Sequence, residues 1–352
     1  MKGYTATILA LFCVSICAVG VEAQKMAAPR DLKRDSRDEE ETVRVNATLI
    51  DVPVSVMDRN GRFIPNLQRE DFHLLDNGNP QRIEHFAPVE KPFTVALLLD
   101  TSGSTRFRLK DIQEAAVGFV EHLRAGDRVL VVSFNDKVEV LAEATNNRDV
   151  LQQAIWRAGS GDGTHLYDAV DFVINRRLNT VRGRKAIVLF TDGIDNVSRI
   201  ATRAGVVEKV EELDAPIYSL QYDTFVEEDT VVMSGSVPGV QTASVAATKR
   251  TRTYPPGFGA KDYALARSYL KDLSNATGGR YYHADSLPKI RETFALVAEE
   301  LRSQYSLGYY PDPRPSSSGE RRTIKVRVNG RNLVVRAKRS YVSRLPGERA
   351  QN

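Results

Sequence analysis

Cysteine is nearly absent from this 352-residue chain: there are two, Cys13 and Cys17, and none follows them. Whatever folds beyond Cys17 therefore has no disulfide, no thiolate metal ligand and no thiol nucleophile, so its stability must come from a packed core. Histidine is sparse as well, with five residues, and no two of them stand three or four positions apart as a helical zinc pair requires. Long apolar runs are lacking after the opening segment, which leaves no later candidate for a membrane-spanning helix of ~20 residues. Basic residues are not interleaved with aromatic ones as on a nucleic-acid surface, so no nucleic acid is expected as a partner.

The opening segment, MKGYTATILALFCVSICAVGVEAQ, joins Lys2 to an apolar stretch from Ile8 to Val21 and a small-residue site at Val21-Glu22-Ala23. That pattern predicts a signal peptide over residues 1–23 and hence a secreted or periplasmic protein. Residues 24–42 are charged and without period, which reads as a flexible spacer. The formal net charge of +4 is uneven, because from Glu320 onward ten Lys or Arg face two Glu. In that basic strip Lys325, Arg327 and Arg331 are set against Ile324, Val326 and Val328. Two readings stand: weak contact with anionic envelope polymers, or charges on a strand that discourage edge-to-edge pairing.

Periodicity divides the rest. Residues 43–92 alternate apolar and polar positions with turn signals at Asn60-Gly61 and Asn77-Gly78, which predicts a small β segment. From 93 to 304 buried strands alternate with amphipathic helices, and this predicts an α/β fold with a doubly wound, mostly parallel sheet. Strands are expected at 94–100, 128–134, 138–144, 185–191, 217–222 and 280–283, with the third antiparallel after the tight Asn135-Asp136 turn. Helices are expected at 106–123, 149–156, 166–178, 202–213, 264–276 and 287–304. Residues 224–262, rich in Gly, Ser, Thr and Pro, are far longer than an ordinary ~2–6 residue connection and read as an insertion, mobile or functional. Residues 305–343 return to strand alternation, with Asn329-Gly330 as a hairpin turn, and 344–352 form a tail. Neither β segment has enough strands to be stable alone, so the two are expected to pair into one smaller β domain.

The stretch ALLLDTSGST poses the functional question. A strand buried on both faces delivers Asp100, Ser102 and Ser104 at its carboxyl end, where open α/β sheets bind their ligands. One carboxylate and two hydroxyls on a short loop suit a hard divalent cation but fill only part of a ~six-oxygen shell. Two further loops reach the same rim: Gly161-Asp162-Gly163-Thr164 before a helix, and Thr191-Asp192-Gly193 after the strand AIVLF. Enzymatic patterns fit poorly. A phosphatase of the haloacid dehalogenase kind needs a second Asp at position 102 and an aspartic protease needs Asp-Thr-Gly, and Ser102 breaks both. A helix N-cap would account for Asp100 and Ser102 but leaves Thr164 and Asp192 unexplained.

Asp100-x-Ser102-x-Ser104, Thr164 and Asp192 together resemble the five-part metal-ion-dependent adhesion site of von Willebrand factor type A domains. With its flanking β segments, the chain resembles the bacterial secreted proteins that carry such a domain between two β segments. The resemblance implies a divalent cation, Mg²⁺ (or Mn²⁺ or Ca²⁺), contacted by Ser102, Ser104 and Thr164, with Asp100 and Asp192 acting largely through water. It also implies a protein partner that offers an Asp or Glu side chain to the metal, and a binding module rather than an enzyme. The alternatives are a metal-dependent hydrolase or accessory subunit of an envelope enzyme, or a structural envelope protein with an idle metal site. Asp162, Asp195 and Asp223 could add acidity to the rim or hold a second cation, or simply shape loops and turns, and Asp195 with its neighbour Asn196, close to Asp192, is the pair to test first.

Overall fold

The computed structural model describes residues 48–88, 91–104, 109–222, 224–233 and 246–343. The expected signal peptide, spacer and tail lie outside them. Among the described residues no helix is long and apolar enough to cross a membrane.

The described residues open with four strands, β1 (Ile50–Asp58), β2 (Phe72–Asp76), β3 (Asn79–Gln81) and β4 (His85–Ala87). Asn77 and Gly78 between β2 and β3 both take positive φ, 48° and 83°, the primed turn that a two-residue hairpin requires. The α/β part follows: β5 (Phe93–Asp100), α1 (Leu109–Glu121), β6 (Arg128–Phe134), β7 (Val138–Thr145), α2 (Arg148–Trp156), α3 (Leu166–Arg176), β8 (Arg184–Thr191), α4 (Arg203–Val210) and β9 (Ile217–Tyr222). After β9 come β10 (Val226–Met233), β11 (Ala246–Thr253), α5 (Ala260–Thr277), β12 (Tyr281–Ala284) and α6 (Leu287–Arg302). Four strands close the chain: β13 (Tyr305–Tyr309), β14 (Arg321–Val328), β15 (Leu333–Ala337) and β16 (Ser340–Val342).

The central sheet has the order β12-β9-β8-β5-β6-β7, parallel except for β7. All eight residues of β5 are buried, and their alternation splits them between two cores. Val95, Leu97 and Leu99 face α1, α2 and α6, while Ala96 and Leu98 face α3, α4 and α5. Helix starts are set locally: Asn147 caps α2 through Val150 N–H, and Thr202 caps α4 through Gly205 N–H. This is the expected doubly wound α/β fold.

The end strands form two antiparallel sheets, β15-β1-β13-β4 and β16-β14-β2-β3, that share one core. Val52, Val54 and Val56 of β1 meet Phe72, Leu74, Tyr305, Leu307, Tyr309 and Ile324 there. The fold thus has the smaller β part built from both chain ends. One local expectation fails. Asn329-Gly330 does not close a hairpin, because β14 pairs with β2 and β16 whereas β15 pairs with β1, so the four residues between them cross from one sheet to the other. Asn329 anchors that crossing through its N–H to Asp71 O at 2.8 Å and its side-chain amide to Glu70 O at 3.3 Å. Within the expected insertion at 224–262, the described residues include two strands, β10 and β11, which pair antiparallel over eight residues each, and α5 begins at Ala260, where the Asp262 carboxylate accepts Gly259 N–H at 2.8 Å. Thr230 and the apolar Val231, Val232 and Met233, with the alternation in AATKRTRT, suit these two strands, within a composition otherwise rich in Gly, Ser, Thr and Pro. β16 pairs with only Arg321–Thr323 of β14, and the exposed Lys325 and Arg327 lie beyond that pairing.

The end of α5 is fitted tightly to its surroundings. Gly278 takes the left-handed cap at φ 76°, and a Cβ on Gly279 would stand 2.1 Å from Ile217 O of β9. Backbone cannot yield as a flexible side chain does, so Gly279→Ala is expected to destabilise the protein by about 1–3 kcal/mol or more. Urea unfolding of the variant checks this, and an unchanged midpoint would show that the α5 to β12 connection gives way freely.

Candidate metal site at the sheet rim

The sheet order reverses between β5 and β8: from β5 the chain moves out through β6 and β7, then returns to build β8, β9 and β12 on the other side. Asp100 ends β5 and Asp192 directly follows β8, so the two carboxylates come from neighbouring parallel strands at this switch point. Both are fully buried. Burial, reinforced by the nearby Asp192, pushes the Asp100 carboxyl well above the ordinary carboxylate range. A divalent cation would reverse that tendency by neutralising both charges.

Hydrogen bonds join four of the five residues into one network. Asp100 Oδ1 accepts Ser102 N–H at 3.0 Å, and Asp100 Oδ2 accepts the Thr191 hydroxyl at 2.6 Å. Ser102 Oγ and Ser104 Oγ are 3.1 Å apart, and Ser104 Oγ donates to Asp192 Oδ2 at 2.9 Å. Asp192 Oδ1 accepts Ile194 N–H at 3.0 Å. The Thr164 loop is drawn alongside by backbone contacts. Gly161 N–H donates to Thr101 O at 3.0 Å, and a Cβ on Gly103 would meet Gly161 O at 3.4 Å. That is ordinary van der Waals distance, and Gly103 is not among the residues with positive φ, so neither space nor backbone conformation demands glycine there. Thr164 is buried and its N–H donates to Asn196 Oδ1 at 2.8 Å.

Asn135 is a support that the sequence reading passed over. Its side-chain amide donates to Thr101 Oγ1 and to Gly159 O, both at 3.1 Å, so it binds the β5 loop to the loop before Thr164. Its signal was its place in the expected β6 to β7 turn. Thr191 is a second such residue, adjacent to Asp192 in sequence. Asp195 and Asn196 act as loop anchors: Asp195 Oδ2 accepts Tyr167 N–H at 3.0 Å and also the Ser198 hydroxyl, while Asn196 holds Thr164. Asp168 fixes the next stretch by accepting Arg199, Ile200 and Ala201 N–H groups and pairing with His165 Nδ1 at 3.0 Å.

Among the described residues no group of three or more His, Cys, Asp or Glu is arranged to hold a metal. The rim brings together other oxygen groups, the carboxylates of Asp100 and Asp192 and the hydroxyls of Ser102 and Ser104, with the Thr164 loop alongside. All are hard oxygens, which fit Mg²⁺, Mn²⁺ or Ca²⁺ better than a soft ion.

A doubly wound sheet with such a donor set at its switch point defines an open α/β domain built for a ligand at the strand ends. Residues 95–194, which include all five rim residues, match the family model of the von Willebrand factor type A domain, and the chain carries such a domain. A search of curated proteins returned no match. Among solved structures, proximal thread matrix protein 1 from the mussel byssus is 12% identical, with a TM-score of 0.45, over 64% of this chain and 51% of its own. The von Willebrand domain of the type V pili tip protein Mfa5 from Porphyromonas gingivalis is 14% identical, with a TM-score of 0.41, over 60% of this chain and 95% of its own. A von Willebrand factor type A protein from Catenulispora acidiphila is 11% identical, with a TM-score of 0.44, over 85% of this chain and 75% of its own.

Proposed function

We propose that this chain is a secreted or periplasmic binding module that holds a divalent cation, Mg²⁺ in the first place, at Asp100, Ser102, Ser104, Thr164 and Asp192, and through it captures an Asp or Glu side chain of a protein partner. The observation that carries the reading is the convergence of two buried carboxylates and the serine hydroxyls at the switch point of a von Willebrand type A domain. Ser102, Ser104 and Thr164 would hold the ion directly, with Asp100 and Asp192 orienting their hydroxyls and neutralising charge. When bound, the ion supplies an electrophilic centre for an incoming carboxylate. Catalysis would need a base to activate a metal-bound water. His165, the nearest histidine in sequence to Thr164, is committed to Asp168.

Titration calorimetry tests the metal. The wild type is expected to bind Mg²⁺ or Mn²⁺, and Asp100→Asn, which keeps the side chain's shape, is expected to fold normally and show no binding. Equal binding by the variant would remove the assignment. Thr164→Ala is expected to lose chelator-sensitive capture of a carboxylate-bearing protein. Metal-dependent turnover of phosphate or carboxylate esters that disappears in Asp192→Ala would favour a hydrolase instead.

A further inference from the structure

Asp192 is gripped from a second direction that the five-residue motif does not contain. Thr224, two residues beyond the end of β9, donates its hydroxyl to Asp192 Oδ2 at 3.0 Å, the oxygen that also accepts Ser104 Oγ. Because the single Thr224 hydroxyl proton is spent on Asp192, the short contact between Thr224 Oγ1 and Tyr263 OH requires Tyr263 to be the donor. A directed chain results, from Tyr263 through Thr224 to Asp192, which Ser104 meets from the other side.

Tyr263 belongs to an aromatic triad. Its ring lies 5.5 Å from Phe225 in an edge arrangement and 5.3 Å from Tyr254, and Phe225 and Tyr254 are 5.3 Å apart. Phe225 immediately precedes β10 and Tyr254 immediately follows β11, so the triad clamps the hairpin at its base. Ile194 and Ala266 complete this small core, and Ile194 N–H is the donor to Asp192 Oδ1. Both oxygens of Asp192 are thus held by groups tied to the cluster that seats the hairpin.

We propose that Thr224 is a positioning residue of the rim site, joining the β10–β11 hairpin to Asp192 so that the cation and the hairpin are held by one hydroxyl chain. The inference rests on the metal reading above. A cation that fixes Asp192 fixes Thr224, Tyr263 and the base of the hairpin with it, and the hairpin becomes a wall of the face that meets the partner. Nothing in the sequence marks Thr224, since its two partners lie 32 and 39 residues away in the chain.

The experiment is amide hydrogen exchange of the full chain with and without Mg²⁺, in the wild type, Thr224→Val, Thr224→Ser and Tyr263→Phe, with Mg²⁺ affinity measured on the same samples. In the wild type, Mg²⁺ is expected to slow exchange across 226–233 and 246–253. Thr224→Val, which keeps the shape without the hydroxyl, is expected to lose that slowing and to bind Mg²⁺ about 10-fold more weakly. Thr224→Ser should restore both, and Tyr263→Phe should lose the hairpin response. Metal binding by the wild type with no change in hairpin exchange, or a response that survives in Thr224→Val, overturns the proposal while leaving the metal site standing. A wild type that binds no metal overturns both.

Discussion

Asp76→Ala is expected to cost the protein about 3–5 kcal/mol, because it strips the partner from a buried cation. Asp76, at the end of β2, has no exposed surface and receives three donors from the other chain end. Arg322 Nε lies 2.9 Å from Oδ1, and the hydroxyls of Tyr309 and Tyr341 donate to Oδ2 at 3.1 and 2.8 Å. Arg322 is itself buried, with further contacts to Glu320 at 3.3 Å and Pro313 O at 3.1 Å. Removing the carboxylate leaves a desolvated guanidinium with only Glu320 and Pro313 O to meet it, and two tyrosine hydroxyls without their acceptor. Asp76→Asn keeps an acceptor oxygen and should fall between alanine and wild type. Equilibrium unfolding in guanidinium or urea measures the loss, and a change below about 1 kcal/mol would mean that water reaches this network.

Deleting residues 305–352 is expected to have the largest effect of all, a chain that aggregates or is rapidly cleaved. The deletion takes β13 and β15 from either side of β1, and β14 from beside β2. Val52, Val54, Val56, Phe72 and Leu74 would then lose most of their shared core. It also removes three polar ties to the α/β part: Arg321 on Glu211, Arg336 on the buried Glu300 at 2.9 Å, and the buried Lys338, whose ammonium donates to Leu213 O at 3.1 Å. A soluble, protease-resistant product would show that the early strands hold together without the late ones.

The α/β sheet was legible because its strands are short apolar runs between helices of clear period, and β6 and β9 fall at Arg128–Phe134 and Ile217–Tyr222 as the pattern indicates. The rim residues were legible because Asp100 and Asp192 each terminate such a run. Other features were hidden for physical reasons. The 226–253 hairpin carries polar and charged residues at many strand positions, so composition points to a loop although the backbone pairs. Asn329-Gly330 has a turn's composition, but which sheets it links depends on partners some 250 residues earlier in the chain, such as Phe72 opposite Val328. Asn135 and Thr224 act on the site only through contacts made in space.

The order of strands in the β sandwich has a consequence for how the protein is made. β1 and β4 leave the ribosome early, whereas β13, which stands between them, emerges only after the whole α/β part, from Phe93 to Arg302, has been translated. At ~5–20 residues per second that interval is on the order of 10–40 s. Throughout it β1 lacks both of the strands that hydrogen-bond along it, β13 and β15, and its valines have only the early residues such as Phe72 and Leu74 to pack on, so its two edges stay unpaired until the late strands arrive.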